Sequence, residues 1–390
     1  MKRAFKFIII YVAVAAAIFA LVIGINYSAF DTLFENSESM AEGSEYIENT
    51  YSLKDLSRFI GEHPEYISIT SYNVNNPDSG IFYNEETPRS LGATSNLLLL
   101  MEYERQVKAG LLNPDQLISL NDIKTFALPE ISENNHQKII DAFESGDVPL
   151  DEAVKAMIEN SDLVVADYLW FLLGEKNIRA MADSLNIPAS ALAVPFSGLY
   201  ITINPSLSDT ASLSGMELPR IFDAAIDNAL QLRNDPEFNK RVKQQFEDDR
   251  LSLTFMQERD ALSYFPQAST KFMADLMFRL YNDQVFSPLI SQNVKKKLRW
   301  PMGSEPIARS FKDYGAIYDN RMGLLAGLDF GTSVYDDHTS VQAVFFDRLP
   351  VAFWVHMSAN HMQEDYQQRL IWDPALYGTT QKDISKANHE

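Results

Sequence analysis

The sequence predicts an α/β (α+β) fold of two lobes, preceded by one transmembrane helix. One lobe is an antiparallel sheet flanked by helices and the other is all helical. Three observations predict this. Strand patterns lie near both ends of the chain, with a long stretch of helical periodicity between them. Apolar residues make up 46% of 390, ample for a large core. Phe7–Ile25 is an apolar run without a charge, long enough as a helix to cross the ~30 Å hydrocarbon core of a bilayer.

Lys2, Arg3 and Lys6 precede that run, and Asp31 is the first charge after it. The positive-inside rule then places residues 1–6 in the cytoplasm and the rest of the chain outside. A cleavable signal peptide fits less well, because its apolar core spans about 7–15 residues and is followed by small residues. Residues 26–50 read as an acidic linker: 31–50 hold six acids and no base, the composition of a solvated tether. The body is expected over 51–375, followed by a polar tail, 376–390.

Within the body, Leu53–Ile60 has helical spacing and Tyr66–Val74 alternates as a strand. A turn cluster from Asn75 to Gly80 leads into a short second strand ending at Tyr83. Ser95–Ala109 is a helix closed by Gly110, and its Leu97–Met101 run predicts burial on every side. Helical patterns follow at Leu150–Asn160, Leu163–Leu173, Asn177–Leu185, Glu217–Arg233, Pro236–Phe246, Thr270–Asp283 and Ser287–Leu298. Strands are expected at Met322–Tyr335, Val341–Phe346 and Ala352–Met357, and a last helix at His361–Ile371.

This layout, with Pro88–Asn96 leading into Leu97–Gly110, resembles the serine β-lactamase and penicillin-binding-protein family over roughly residues 50–375. The resemblance implies a Ser-x-x-Lys pair at the start of the buried helix, where the spacing puts nucleophile and base on one face. Here those positions are Ala93 and Asn96. Ala93 has no oxygen, and Asn96 accepts no proton at neutral pH. A Ser-Asp-Asn-type triplet is implied at Ser161-Asp162-Leu163, with Leu163 in place of the amide that would grip substrate. A Lys-Thr/Gly-Gly stretch is implied at Arg321-Met322-Gly323-Leu324, with Leu324 in place of a hydroxyl residue and Arg321 in place of lysine. Thr94 and Ser95 read as N-caps, since Ser95 is rotated about 200° around the helix from Ala93.

The excluded classes are clear. A formal net charge of −20 argues against a nucleic-acid partner, and the absence of cysteine excludes disulfides, iron–sulfur clusters and thiol catalysis. No zinc-helix spacing joins the six histidines, so His63, His136, His338, His356, His361 and His389 read as structural or surface residues. No metal or cofactor is expected. The basic stretch Val294–Lys297 reads as a solvated helix end, with a patch for an acidic partner or an internal match to the acidic surface as alternatives.

The expected function is that of a pseudoenzyme in a bacterial inner membrane: single-pass through residues 7–25, with its folded domain in the periplasm. Its role would be binding or scaffolding, toward a protein of the cell envelope or a cell-wall fragment. Ser161, Asp162 and Arg321 would line a vestigial groove made greasier by Leu163 and Leu324. The rival is an active serine-type hydrolase on peptidoglycan peptides or β-lactam-like amides, using another nucleophile such as Ser161. A third reading makes the domain a passive spacer for the anchor.

Overall fold

A computed structural model describes residues 36–143, 146–298, 328–332 and 339–387. The apolar run Phe7–Ile25, and with it the expected transmembrane helix, lies outside the described residues, as do Arg321, Gly323 and Leu324. Among the described residues no helix is long and apolar enough to cross a membrane.

Helix α1 (Leu53–Glu62) opens the body, capped by the Ser52 hydroxyl, which accepts from the Asp55 N–H. Strands β1 (Ile67–Asn73) and β2 (Asn76–Tyr83) form an antiparallel hairpin. The turn is tighter than the sequence suggested: Asn73 pairs with Asn76, so the expected turn residues Pro77 and Gly80 lie within β2. An edge strand tolerates both, because one side of its backbone needs no partner.

The chain then leaves the sheet for the helical lobe. Its helices of eight or more residues are α2 (Asn96–Lys108), α3 (Glu133–Ala142), α4 (Leu150–Glu159), α5 (Leu163–Leu173), α6 (Glu175–Leu185), α7 (Phe196–Ile203), α8 (Leu218–Asn234), α9 (Pro236–Asp249), α10 (Thr270–Tyr281) and α11 (Pro288–Lys297). Helices α3 and α7 were not anticipated. Strands β3 (Leu328–Thr332) and β4 (Thr339–Phe346) return to the sheet, whose order is β2-β1-β4-β3, antiparallel throughout. Helices α12 (Val351–Ala359), α13 (Met362–Trp372) and α14 (Pro374–Ala387) close the chain.

The sheet separates two cores through the two-residue period of its strands. Ile67, Ile69 and Val344 face α1 and α12–α14. Tyr72, Val341, Ala343 and Phe345 face the helical lobe. Within that lobe α2 is the central rod, and Asn96 to Met101 are each at most 2% exposed, as the unbroken apolar run predicts.

Three expectations are corrected. The third late strand, Ala352–Met357, is helix α12: a short run of apolar residues fits either period, and here Val351, Ala352, Phe353 and Met357 turn inward at helical spacing. The acidic tether is folded from Asn36 onward. Short helices Ser37–Ala41 and Ser44–Ile47 pack on α12, Glu42 pairs with Arg259, and the Tyr46 ring sits edge-on to Phe59 and Phe353. Net acidity concealed the few residues that dock. Likewise the polar tail is helix α14, which joins the core of α1 through Leu376 and Ile384 on either side of a buried hydroxyl. Buried Thr380 bonds the Tyr366 hydroxyl (2.8 Å) and accepts from Ser57 (3.3 Å).

Close helix approach is also used between α7 and α8. A Cβ at Gly198 would lie 1.9 Å from the Ala225 carbonyl oxygen. Gly198→Ala therefore has to separate the two helices, with an expected loss of about 1–3 kcal/mol. A urea midpoint equal to that of the native protein would refute this packing.

Candidate functional site

The start of α2 is built by an irregular lead-in. Gly92 takes φ of 50°, a conformation glycine adopts without penalty, and opens a single 3₁₀ turn, Gly92–Ser95. That turn runs directly into α2, so Thr94 and Ser95 do not serve as N-caps. Ser95 is itself helical and its hydroxyl donates back to the Gly92 carbonyl at 2.9 Å. Ala93 is half-buried on the turn. Asn96 is the first residue of α2 and is fully buried, yet among the described residues neither its amide oxygen nor its amide nitrogen has a hydrogen-bond partner. A buried amide in that state costs roughly 1–3 kcal/mol relative to a paired one.

The Ser161 corner begins α5. Ser161 is held at φ of 51°, an uncommon conformation for a residue with a side chain. Asp162 follows as the N-cap, one carboxylate oxygen accepting from the N–H groups of Val164 (3.0 Å) and Val165 (3.1 Å). The other oxygen meets Nδ1 of His136 on α3 at 3.0 Å. Since Asp162 acts as acceptor, Nδ1 is the nitrogen that carries the proton in this bond. Both side chains are buried, and among the described residues Nε2 of His136 has no partner. His136 is thus structural, but its link to Asp162 was invisible: 26 residues separate them with no periodicity to suggest it.

One and a half turns along α5, Asp167 is also buried. Its two oxygens accept from the N–H groups of Phe196 (2.6 Å) and Ser197 (2.7 Å), gripping the first turn of α7. Burial pushes its carboxyl up to about 7, against the opposing pull of those donors. Half-buried Leu163 packs nearby with Phe126, Leu128, Phe196 and Tyr200, around a crevice too tight for a water molecule that Ser132, Asp167 and Ser197 also line.

Helices α2, α4 and α5 pack on one another, so the Ala93–Asn96 turn and the Ser161 corner belong to one lobe. No hydrogen bond joins Asn96 to that corner. Glu102 and Glu104, buried on α2, are satisfied from outside the corner: Glu102 by Arg105 (2.7 Å) and Gln106 (2.7 Å), Glu104 by Lys297 (2.9 Å). Lys297 also reaches Asp151 (2.7 Å), and Lys295 pairs with Asp283 (2.7 Å). The basic end of α11 is therefore an internal match to acidic residues, and only Lys296 of the three lysines points to solvent. Among the described residues, no three His, Asp or Glu side chains converge as a metal site would require.

The model of a beta-lactamase enzyme family matches residues 52–328. Among solved structures, the chain is similar to a beta-lactamase from Sphaerobacter thermophilus, with TM-score 0.50 and 16% identity over 82% of this chain and 97% of that one. It is also similar to a beta-lactamase from Chitinophaga pinensis, with TM-score 0.45 and 13% identity over 86% and 99% of the two chains. For the TLA-3 extended-spectrum beta-lactamase the values are 0.47, 10%, 82% and 98%. At such identities the likeness to the first of these concerns the fold alone. No curated protein matches the sequence.

Two outcomes follow from the paired carboxylates of α5. Asp162→Ala removes a helix cap worth about 1 kcal/mol and strands buried His136 at a further ~1–3 kcal/mol; Asp162→Asn, which keeps the cap, is expected to lose less in urea unfolding. For Asp167, the unfolded carboxyl releases its proton at about pH 3.9 and the folded one near 7. Between those values the folded chain holds the extra proton, so stability falls as pH rises through this window. Asp167→Asn should flatten that part of the pH profile, and an unchanged slope would contradict the assignment.

Proposed function

We propose, since the chain belongs to the beta-lactamase enzyme family, that it is a pseudoenzyme that binds or scaffolds at the cell envelope. One observation carries this reading. Where the family resemblance calls for an acylatable hydroxyl and a proton-accepting amine, the turn leading into α2 carries the Ala93 methyl and α2 opens with the Asn96 amide. Removing an activated serine or its base lowers turnover by about 10⁶-fold in a serine hydrolase, and what remains comes from binding alone. The surroundings are consistent with this: Leu163 packs against Phe126, Leu128, Phe196 and Tyr200 at a crevice with no room for water, and Asp162 and His136 are engaged with each other. Residues 7–25 would anchor the protein in a bacterial inner membrane with the body in the periplasm. The partner would be an envelope protein or a cell-wall fragment.

Incubating the purified protein with fluorescent penicillin and with a fluorophosphonate probe tests the claim. No covalent label is expected. Labelling that disappears in Ser161→Ala would replace this reading with the serine-hydrolase one. The paired change Ala93→Ser with Asn96→Lys tests the register, and gain of label would place those two positions where the nucleophile and base once stood.

A further inference from the structure

Helix α12 has no Lys, Arg, Asp or Glu among its nine residues, in a chain of net charge −20. Its inner side is core, but its outer side presents Trp354 (57% exposed) and Val355 (38%), with Ser358 beside them. Tyr51, 72% exposed, extends this surface past His356, its ring edge-on at 6.4 Å between centroids. A solvent-facing helix surface in so acidic a protein would ordinarily carry charge.

The position of the patch says what covers it. The short helices Ser37–Ala41 and Ser44–Ile47 pack directly on α12, and Asn36 is tied in by the Phe255 N–H at 2.7 Å. Eleven residues, 26–36, separate the apolar run from Ser37, a span of roughly 40 Å at full stretch. Exposed Trp, Tyr and Val suit the boundary between headgroups and water. The acidic body disfavours an anionic surface, so an uncharged face is the one that can touch lipid. A small patch suffices, because the tether keeps its effective concentration high.

We propose that the outer face of α12, with Trp354, Val355 and Tyr51, rests on the headgroup layer of the bilayer that residues 7–25 cross, and so fixes the orientation of the folded body. This rests on the membrane-anchored reading above. The chain has no cysteine, so Val355→Cys supplies a single thiol for an environment-sensitive dye. Lys176→Cys, on the exposed side of α6, is the control. In full-length protein reconstituted into phosphatidylcholine vesicles, the dye at 355 is expected to shift to the blue and to be quenched by nitroxide lipids. The dye at 176 should do neither. With Trp354→Ser and Val355→Ser together, a dye at Ser358→Cys should lose its quenching while the protein still floats with vesicles. Vesicle flotation with a water-exposed dye at 355 overturns the docking face and leaves the anchor intact. Failure to float overturns both. A dye at 355 that is shielded in detergent, increasingly so with protein concentration, would give the face to a second copy of the chain instead.

Discussion

Everything in this molecule depends on β1 being held from both sides. One edge pairs with β2, its neighbour in sequence, and the other with β4. Ser71 and Gln342 are register partners 271 residues apart, and their side chains hydrogen-bond at 3.3 Å. Closure entropy grows only with the logarithm of loop length, so an insertion of this size between paired strands is tolerable. The helical lobe is that insertion. It is seated by α10, which packs on β1 and β4 and whose Thr270 hydroxyl accepts from the Thr70 hydroxyl of β1 at 3.0 Å.

Inside the lobe, the polar groups divide into two kinds. Asp162 and Asp167 are buried carboxylates with every oxygen engaged, one starting α5 and the other gripping α7. They hold the shape of the corner. Among the described residues, Asn96 and Nε2 of His136 are buried with no partner, as are the Ser197 hydroxyl and the Gln368 amide nitrogen elsewhere in the fold. Interiors leave few polar atoms in that condition.

The charge distribution follows the same division. Lysines at the end of α11 face inward to Glu104, Asp151 and Asp283, sealing α11 against α2 and α4. Arg259 likewise binds Glu42 to the body, which is how an acidic leader becomes part of the fold. With such cations used at internal seams, the outside remains acidic, and the uncharged face of α12 stands out against it.

What the sequence determined by itself was whatever depends on local periodicity and residue chemistry. The buried rod α2 followed from Leu97–Met101, the helices α4 and α5 from their apolar spacing, and a sheet assembled from both ends of the chain from the placement of the strand patterns. That Ala93 carries no hydroxyl and Asn96 no amine needed only the side-chain identities. Tertiary structure decided what period cannot encode. Whether Ala352–Met357 was strand or helix depended on which neighbours buried it. Residues 36–50 dock through isolated aromatics and an ion pair, and residues 374–387 through Leu376 and Ile384 around buried Thr380, a face too sparse in apolar residues to stand out among polar neighbours. The bonds of Asp162 to His136 and of Asp167 to the start of α7 join segments far apart in sequence, and such meetings exist only once the chain has folded.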